Sequence, residues 1–144
     1  MYRAATPVLH AYAARCYRRI VGVIHRRHPD AFRWDDIALE GYGATSERAV
    51  TKQVLVGVAD GALNFALRYF EVAAGGSSAL DEHAHDHGVV ILRGRGVVRL
   101  GDERHPIAIG DVVYIAPNEV HQFENPGPEP LGFLCVIGAE RVRG

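Results

Sequence analysis

A chain of 144 residues, with 48% hydrophobic and 23% charged side chains, has the size and apolar content of one folded domain, which excludes wholesale disorder. Its formal net charge of −1 gives no electrostatic reason to expect nucleic acid as a partner. No apolar run approaches the roughly 20 residues that span a bilayer, and Cys16 and Cys135 make no disulfide framework.

In chain order, residues 1–28 come first. They carry Arg3, Arg15, Arg18, Arg19, Arg26 and Arg27 and no acid, a local charge of +6, so the remaining 116 residues sum to −7. Residues 8–27 have helical character that ends before Pro29. The pattern therefore predicts a basic helical extension over 1–30 and a β-barrel domain over 31–144. The start lacks the apolar core of a secretory signal, so the expected location is cytoplasmic. Three origins stay open for the basic stretch: an amphipathic helix packed on the domain or on a partner subunit, an organelle transit peptide without the usual serines, or an over-called start codon.

From Phe32 onward the texture changes. Short runs of Val, Ile, Leu, Phe and Tyr alternate with Gly, Pro and Asp/Asn punctuation. Strands are expected near 51–57, 64–73, 87–93, 96–100, 104–109, 111–116, 120–124 and 131–138. Turn signals fall at "AGGSS", "GRG", "LGDE", "IGD", "APNE" and "NPGPEP". No long helical pattern follows residue 35. Many short strands at this spacing predict an all-β sandwich or barrel.

The chemistry concentrates in "LDEHAHDHGVVILRGRG", residues 80–96, with His83, His85 and His87 at alternate positions, and in "APNEVHQFEN", with His121. Along a strand, residues two apart share a face, so an extended segment would line up Asp81, His83, His85 and His87. Neutral imidazoles suit Mn, Fe, Ni, Cu or Zn, each ring needing a hydrogen-bond acceptor for its other nitrogen. The bland alternatives are a pocket without metal for His83, His87 and His121, and a solvent-facing turn residue for His85. His105 reads as barrel surface; His10, His25 and His28 belong to the basic leader. Cys135, in the apolar run "LGFLCVIG", reads as a buried small hydrophobe or as a thiol lining a cavity. Trp34, Tyr69 and Phe70 read as core. Phe123, two residues beyond His121 on the same strand face, is the aromatic expected to meet a substrate. Arg93 and Arg95 read as caps on a solvated turn built by Gly94 and Gly96.

These residues resemble the cupin superfamily, the small double-stranded β-helix barrels of jelly-roll type. The first cupin motif, G-x5-H-x-H-x3-E-x6-G, falls without gaps on Gly75, Asp81, His83, His87 and Gly94, with Asp81 in place of the first histidine and His87 in place of the glutamate. The second falls on Gly110, Pro117, Asn118, His121 and Asn125, after residues 95–109. The motifs span about a third of the chain. The resemblance implies a site of His83, His87 and His121, with His85 or Asp81 as the remaining ligand, around a divalent transition metal.

It also implies a metal-dependent enzyme acting on a small molecule by oxygenase, isomerase or lyase chemistry. Asp81, Glu82 or Cys135 are the candidates for catalytic work. A narrower likeness, carried by "FRWDD", "TKQVLVG", "LRYFEVAAGGSS" and "HQFENPGPEPLGFLC", is to a bacterial subgroup linked to methionine salvage. There, methanethiol leaves a methylthio-pentulose phosphate at the expense of a thiol reductant. The alternative class is a non-enzymatic binding or sensing module. Small single-domain cupins commonly form homodimers through their sheet edges, so a homodimer is expected, with neither nucleic acid nor membrane as partner.

Overall fold

The computed structural model describes residues 22–42 and 49–138. Among these residues nine strands build two sheets: β1 (Glu40–Gly41), β2 (Val50–Val56), β3 (Phe65–Val72), β4 (His87–Arg93), β5 (Arg95–Leu100), β6 (Glu103–Ala108), β7 (Val112–Ile115), β8 (His121–Glu124) and β9 (Leu131–Gly138). A 3-10 turn, Val58–Asp60, follows β2. The larger sheet runs β1-β2-β3-β9-β4-β7 and the smaller β6-β5-β8. The pairings between named strands are antiparallel. The fold is an all-β double-stranded barrel, as the strand punctuation predicts.

Alternation explains why these segments pair as they do. In β4, Val89 and Ile91 are buried while Val90 is exposed; in β7, Val113 and Ile115 are buried while Val112 and Tyr114 face out. The inner faces of the two sheets meet through aromatic stacking. Phe133 of β9 lies 4.3 Å from Phe123 of β8 and 5.5 Å from Phe70 of β3, centroid to centroid.

Two turns decide where the chain reverses. Gly94, at φ +69°, joins β4 to β5, and a Cβ there would collide with the Pro130 carbonyl oxygen. Asn125, 1% exposed, ties the far end of the barrel. Its amide nitrogen donates to the carbonyls of Val72 and Glu129, and its side-chain oxygen accepts from Gly127 N–H.

The structure changes the reading of the first segment. Residues 22–27 are not helical; Arg27 forms a bridge with Trp34 instead, and residues 1–21 lie outside the described part of the chain. Residues 27–37 pack on the outside of the large sheet. The buried Gln53 accepts from Trp34 N–H and donates to the carbonyls of Trp34 and Ile37. Trp34 and Phe32 cover Tyr69 on that outer face, so Tyr69 is buried as expected but outside the barrel's central cluster, while Trp34 is only half-buried. His25 is held between Asp36 (2.6 Å) and Asp60 (2.9 Å) rather than belonging to a separate leader. Arg93 pairs with Glu71 at 2.8 Å instead of capping a turn, and Gly96 lies within β5.

Candidate functional site

The site forms where the chain crosses from one sheet to the other. Residues 75–81 run beside β8, with Ser78 N–H donating to Phe123, Asp81 N–H to His121, and His121 N–H back to Asp81. After Asp81 the chain leaves this sheet, and by His87 it has entered β4 of the other. His83 lies on that crossover, pinned where its carbonyl accepts from Asn118 N–H. Asn118, at φ +60°, turns the chain into β8 and so to His121. The crossover, the start of β4 and the start of β8 therefore bring the two motifs together at one end of the barrel.

Among the described residues, His83, His87 and His121 each offer a ring nitrogen, and these nitrogens lie within 4.8 Å of one another. Two of the rings have their tautomer set by the backbone. His83 Nδ1 donates to the His85 carbonyl (2.9 Å) and His121 Nδ1 to the Glu119 carbonyl (2.8 Å). Both neutral rings therefore keep the Nε2 lone pair, the form a metal takes up. His83 Nε2 lies 2.8 Å from His87 Nε2. Two lone pairs cannot face each other at that distance, so the gap calls for a proton or a cation. The donor set fits a first-row divalent ion.

Burial, then repulsion from His83 in its protonated form and from Arg68, pushes the His87 imidazole down to about 3, so it is neutral at physiological pH. Its other nitrogen, Nδ1, lies 3.1 Å from Cys135 Sγ. The Cys135 thiol is itself pushed up by burial, against the opposing pull of Arg68.

The remaining candidates are placed as follows. His85 is outside the converging trio; its ring stacks on His83 with centroids 3.6 Å apart and planes 12° apart. Asp81 lines the adjacent cavity without joining the trio, and its carboxylate accepts from Glu82 N–H. Phe123 and Cys135 line the same cavity, with Tyr42, Phe70 and Phe133 supplying apolar wall. Glu82 is exposed, and so is His105 in β6. Arg68 also lines the cavity, and the sequence reading passed over it. Its signal was present: in "FALRYFEV" the alternation puts Arg68 on the inward face with Ala66, Phe70 and Val72.

Comparison with known proteins gives the same fold. The family described as Cupin_2, Cupin domain, matches residues 68–137. The 1-methylthio-D-xylulose 5-phosphate methylsulfurylase of Rhodospirillum rubrum is 44% identical over 113 residues, covering 76% of this chain and 71% of that protein. The crystal structure of a cupin-2 domain from Rhodospirillum rubrum superposes with a TM-score of 0.70 at 42% identity, covering 79% of this chain and 77% of the other. A cupin 2 conserved barrel domain protein from Rhodopseudomonas palustris gives a TM-score of 0.70 at 40% identity and 81% coverage of each chain. No helix among the described residues is long and apolar enough to cross a membrane. With both motifs in place, the strand order of the barrel and this degree of identity, the chain belongs to the cupin superfamily.

Proposed function

We infer that this cupin is a metal-dependent enzyme acting on a small molecule. The observation that carries the reading is the convergence of His83, His87 and His121 beside a cavity that also holds a thiol. His83 and His121 would hold the ion through Nε2, with their Nδ1–H groups anchored to carbonyls. His87 would complete the trio once its proton sits on Nδ1, facing Cys135. A divalent ion on three neutral imidazoles keeps its full charge and supplies Lewis acidity toward a substrate carbonyl or enediolate. Oxygenase, isomerase and lyase chemistry are all compatible with such a donor set, and the fold alone does not choose among them.

The substrate class favoured is a methylthio-sugar phosphate. Support comes from the Rhodospirillum rubrum relative named for 1-methylthio-D-xylulose 5-phosphate and from Cys135 beside His87. In that reaction the carbon–sulfur bond breaks, the carbon gains hydrogen, methanethiol leaves, and external thiol is oxidised to disulfide. Phe123 and Phe133 would pack on the substrate's apolar methylthio end, and Asp81 stands on the cavity wall as the candidate proton carrier.

A homodimer goes with this reading. Val90, Val112, Tyr114 and Val136 leave an apolar outer face toward the β7 edge of the large sheet. The test of function is incubation of the metal-loaded protein with 1-methylthio-D-xylulose 5-phosphate and glutathione, following methanethiol. Release that disappears in His121→Ala supports the reading. A metal-loaded protein that releases none counts against the sulfur-salvage assignment. A protein that carries no metal and instead co-purifies with a bound metabolite is a binding module.

A further inference from the structure

Arg68 is an anomaly in the barrel interior. It sits in β3 opposite Cys135, on the face that buries Ala66, Phe70 and Val72. One guanidinium nitrogen, Nη2, donates to Cys135 Sγ at 3.1 Å, and the group lies over the Phe70 ring at 5.0 Å. Its Nε is buried and has no hydrogen-bond partner among the described residues. None of the ion pairs among those residues includes it.

A permanently charged, partly buried guanidinium held without a carboxylate is costly, and proteins place Arg this way where its planar fork meets an oxyanion. Among the described residues lining the cavity it is the sole Lys or Arg side chain. Cys135 links it to His87, so the positive charge stands beside the histidine trio rather than at the cavity rim.

We propose that Arg68 is a specificity-determining residue that receives the phosphate or carboxylate of the small molecule bound in the cavity. This rests on the substrate site described above and adds the anionic group the site selects. Arg68 binds the charged end while Phe123 and Phe133 contact the apolar part. A neutral analogue leaves the buried cation unpaired and binds more weakly.

Calorimetric titration of the metal-loaded protein with D-xylulose 5-phosphate, D-xylonate and uncharged D-xylulose tests this. The parent is expected to prefer one of the anionic probes by about tenfold or more. Preference for the first assigns a phosphate ester; preference for the second assigns a carboxylate. Arg68→Gln is expected to abolish the preference while retaining the parent's metal content, and Arg68→Lys to restore part of it. Should Arg68→Gln not fold, Arg68→Met, whose stem packs on Phe70, provides the neutral comparison. A parent that does not distinguish charged from uncharged probes, or a folded neutral variant that keeps the full preference, overturns the proposal. A parent without metal defeats the metal-enzyme reading instead; the charged-against-uncharged comparison on the metal-free protein still reads the role of Arg68.

Discussion

Cys135 Sγ lies 3.1 Å from His87 Nδ1, so the ring nitrogen facing away from the histidine trio meets a thiol. His83 and His121 have carbonyls in the equivalent place. Without a cation, one consistent arrangement runs from the Cys135 S–H to His87 Nδ1 and from His87 Nε2–H to His83 Nε2. With a cation, His87 must carry its proton on Nδ1 and donate to sulfur. On the proposed metal site, Cys135 would therefore set how readily His87 serves as a ligand. Cys135→Ala is expected to lower metal affinity by about 10–100-fold while the barrel still folds. Metal titration monitored by calorimetry, with circular dichroism as the check on folding, measures it.

His25 gives a pH dependence of known sign. Its bonds to Asp36 and Asp60 raise its pKa above the ordinary 6.5. Burial alone would raise the Asp60 carboxyl, but bonds from His25 and Gly57 N–H hold it below the usual range. A raised histidine stabilises the fold fully below its unfolded pKa, and the contribution is lost as pH rises through the folded value. His25→Gln should therefore lower the denaturant midpoint most below pH 6.5, with the difference from the parent fading at alkaline pH. Urea unfolding across pH checks this; a difference that grows with pH would contradict it.

Gly94 is predicted to tolerate no side chain. Its φ of +69° disfavours other residues, and an added Cβ meets the Pro130 carbonyl oxygen. Gly94→Ala should cost about 1–3 kcal/mol from backbone conformation alone, with the collision adding to it. Thermal unfolding against the parent reads the loss.

The outer face of β7 bears on assembly. Val112 is 74% exposed and Tyr114 62%, on the edge strand of the large sheet. On the proposal that this face pairs two copies, Val112→Asp combined with Tyr114→Lys should leave a monomer where the parent is a dimer; a parent that is already monomeric would contradict the proposal. Light scattering coupled to size exclusion separates the two species.

Most of the barrel was legible because its strands alternate cleanly. The expected strands at 87–93 and 131–138 coincide with β4 and β9, and the others lie within a residue or two of theirs. The short β1 had too few residues to carry a pattern. The packing of residues 27–37 was hidden for a different reason: the amide of Gln53 bonds main chain 16 and 19 positions away, which leaves no local signature. The helical character of residues 8–27 does not extend through residues 22–27, where Arg27 bridges Trp34 instead. At the site, the motif spacing pointed to His83, His87 and His121, the trio whose nitrogens converge. It could not rank His85 against Asp81, because that depends on how residues 82–86 turn between the sheets. There the His85 ring lies flat on His83 and Asp81 stays beside β8.

The central claim is that His83, His87 and His121 hold a divalent transition metal. Elemental analysis after dialysis against Mn2+, Fe2+, Ni2+, Cu2+ or Zn2+ tests it most directly, on the parent and on folded His87→Ala and His121→Ala. The account predicts about one equivalent of one of these metals in the parent and its loss in both variants. A parent that retains none of them, or variants that retain as much metal as the parent, would contradict it.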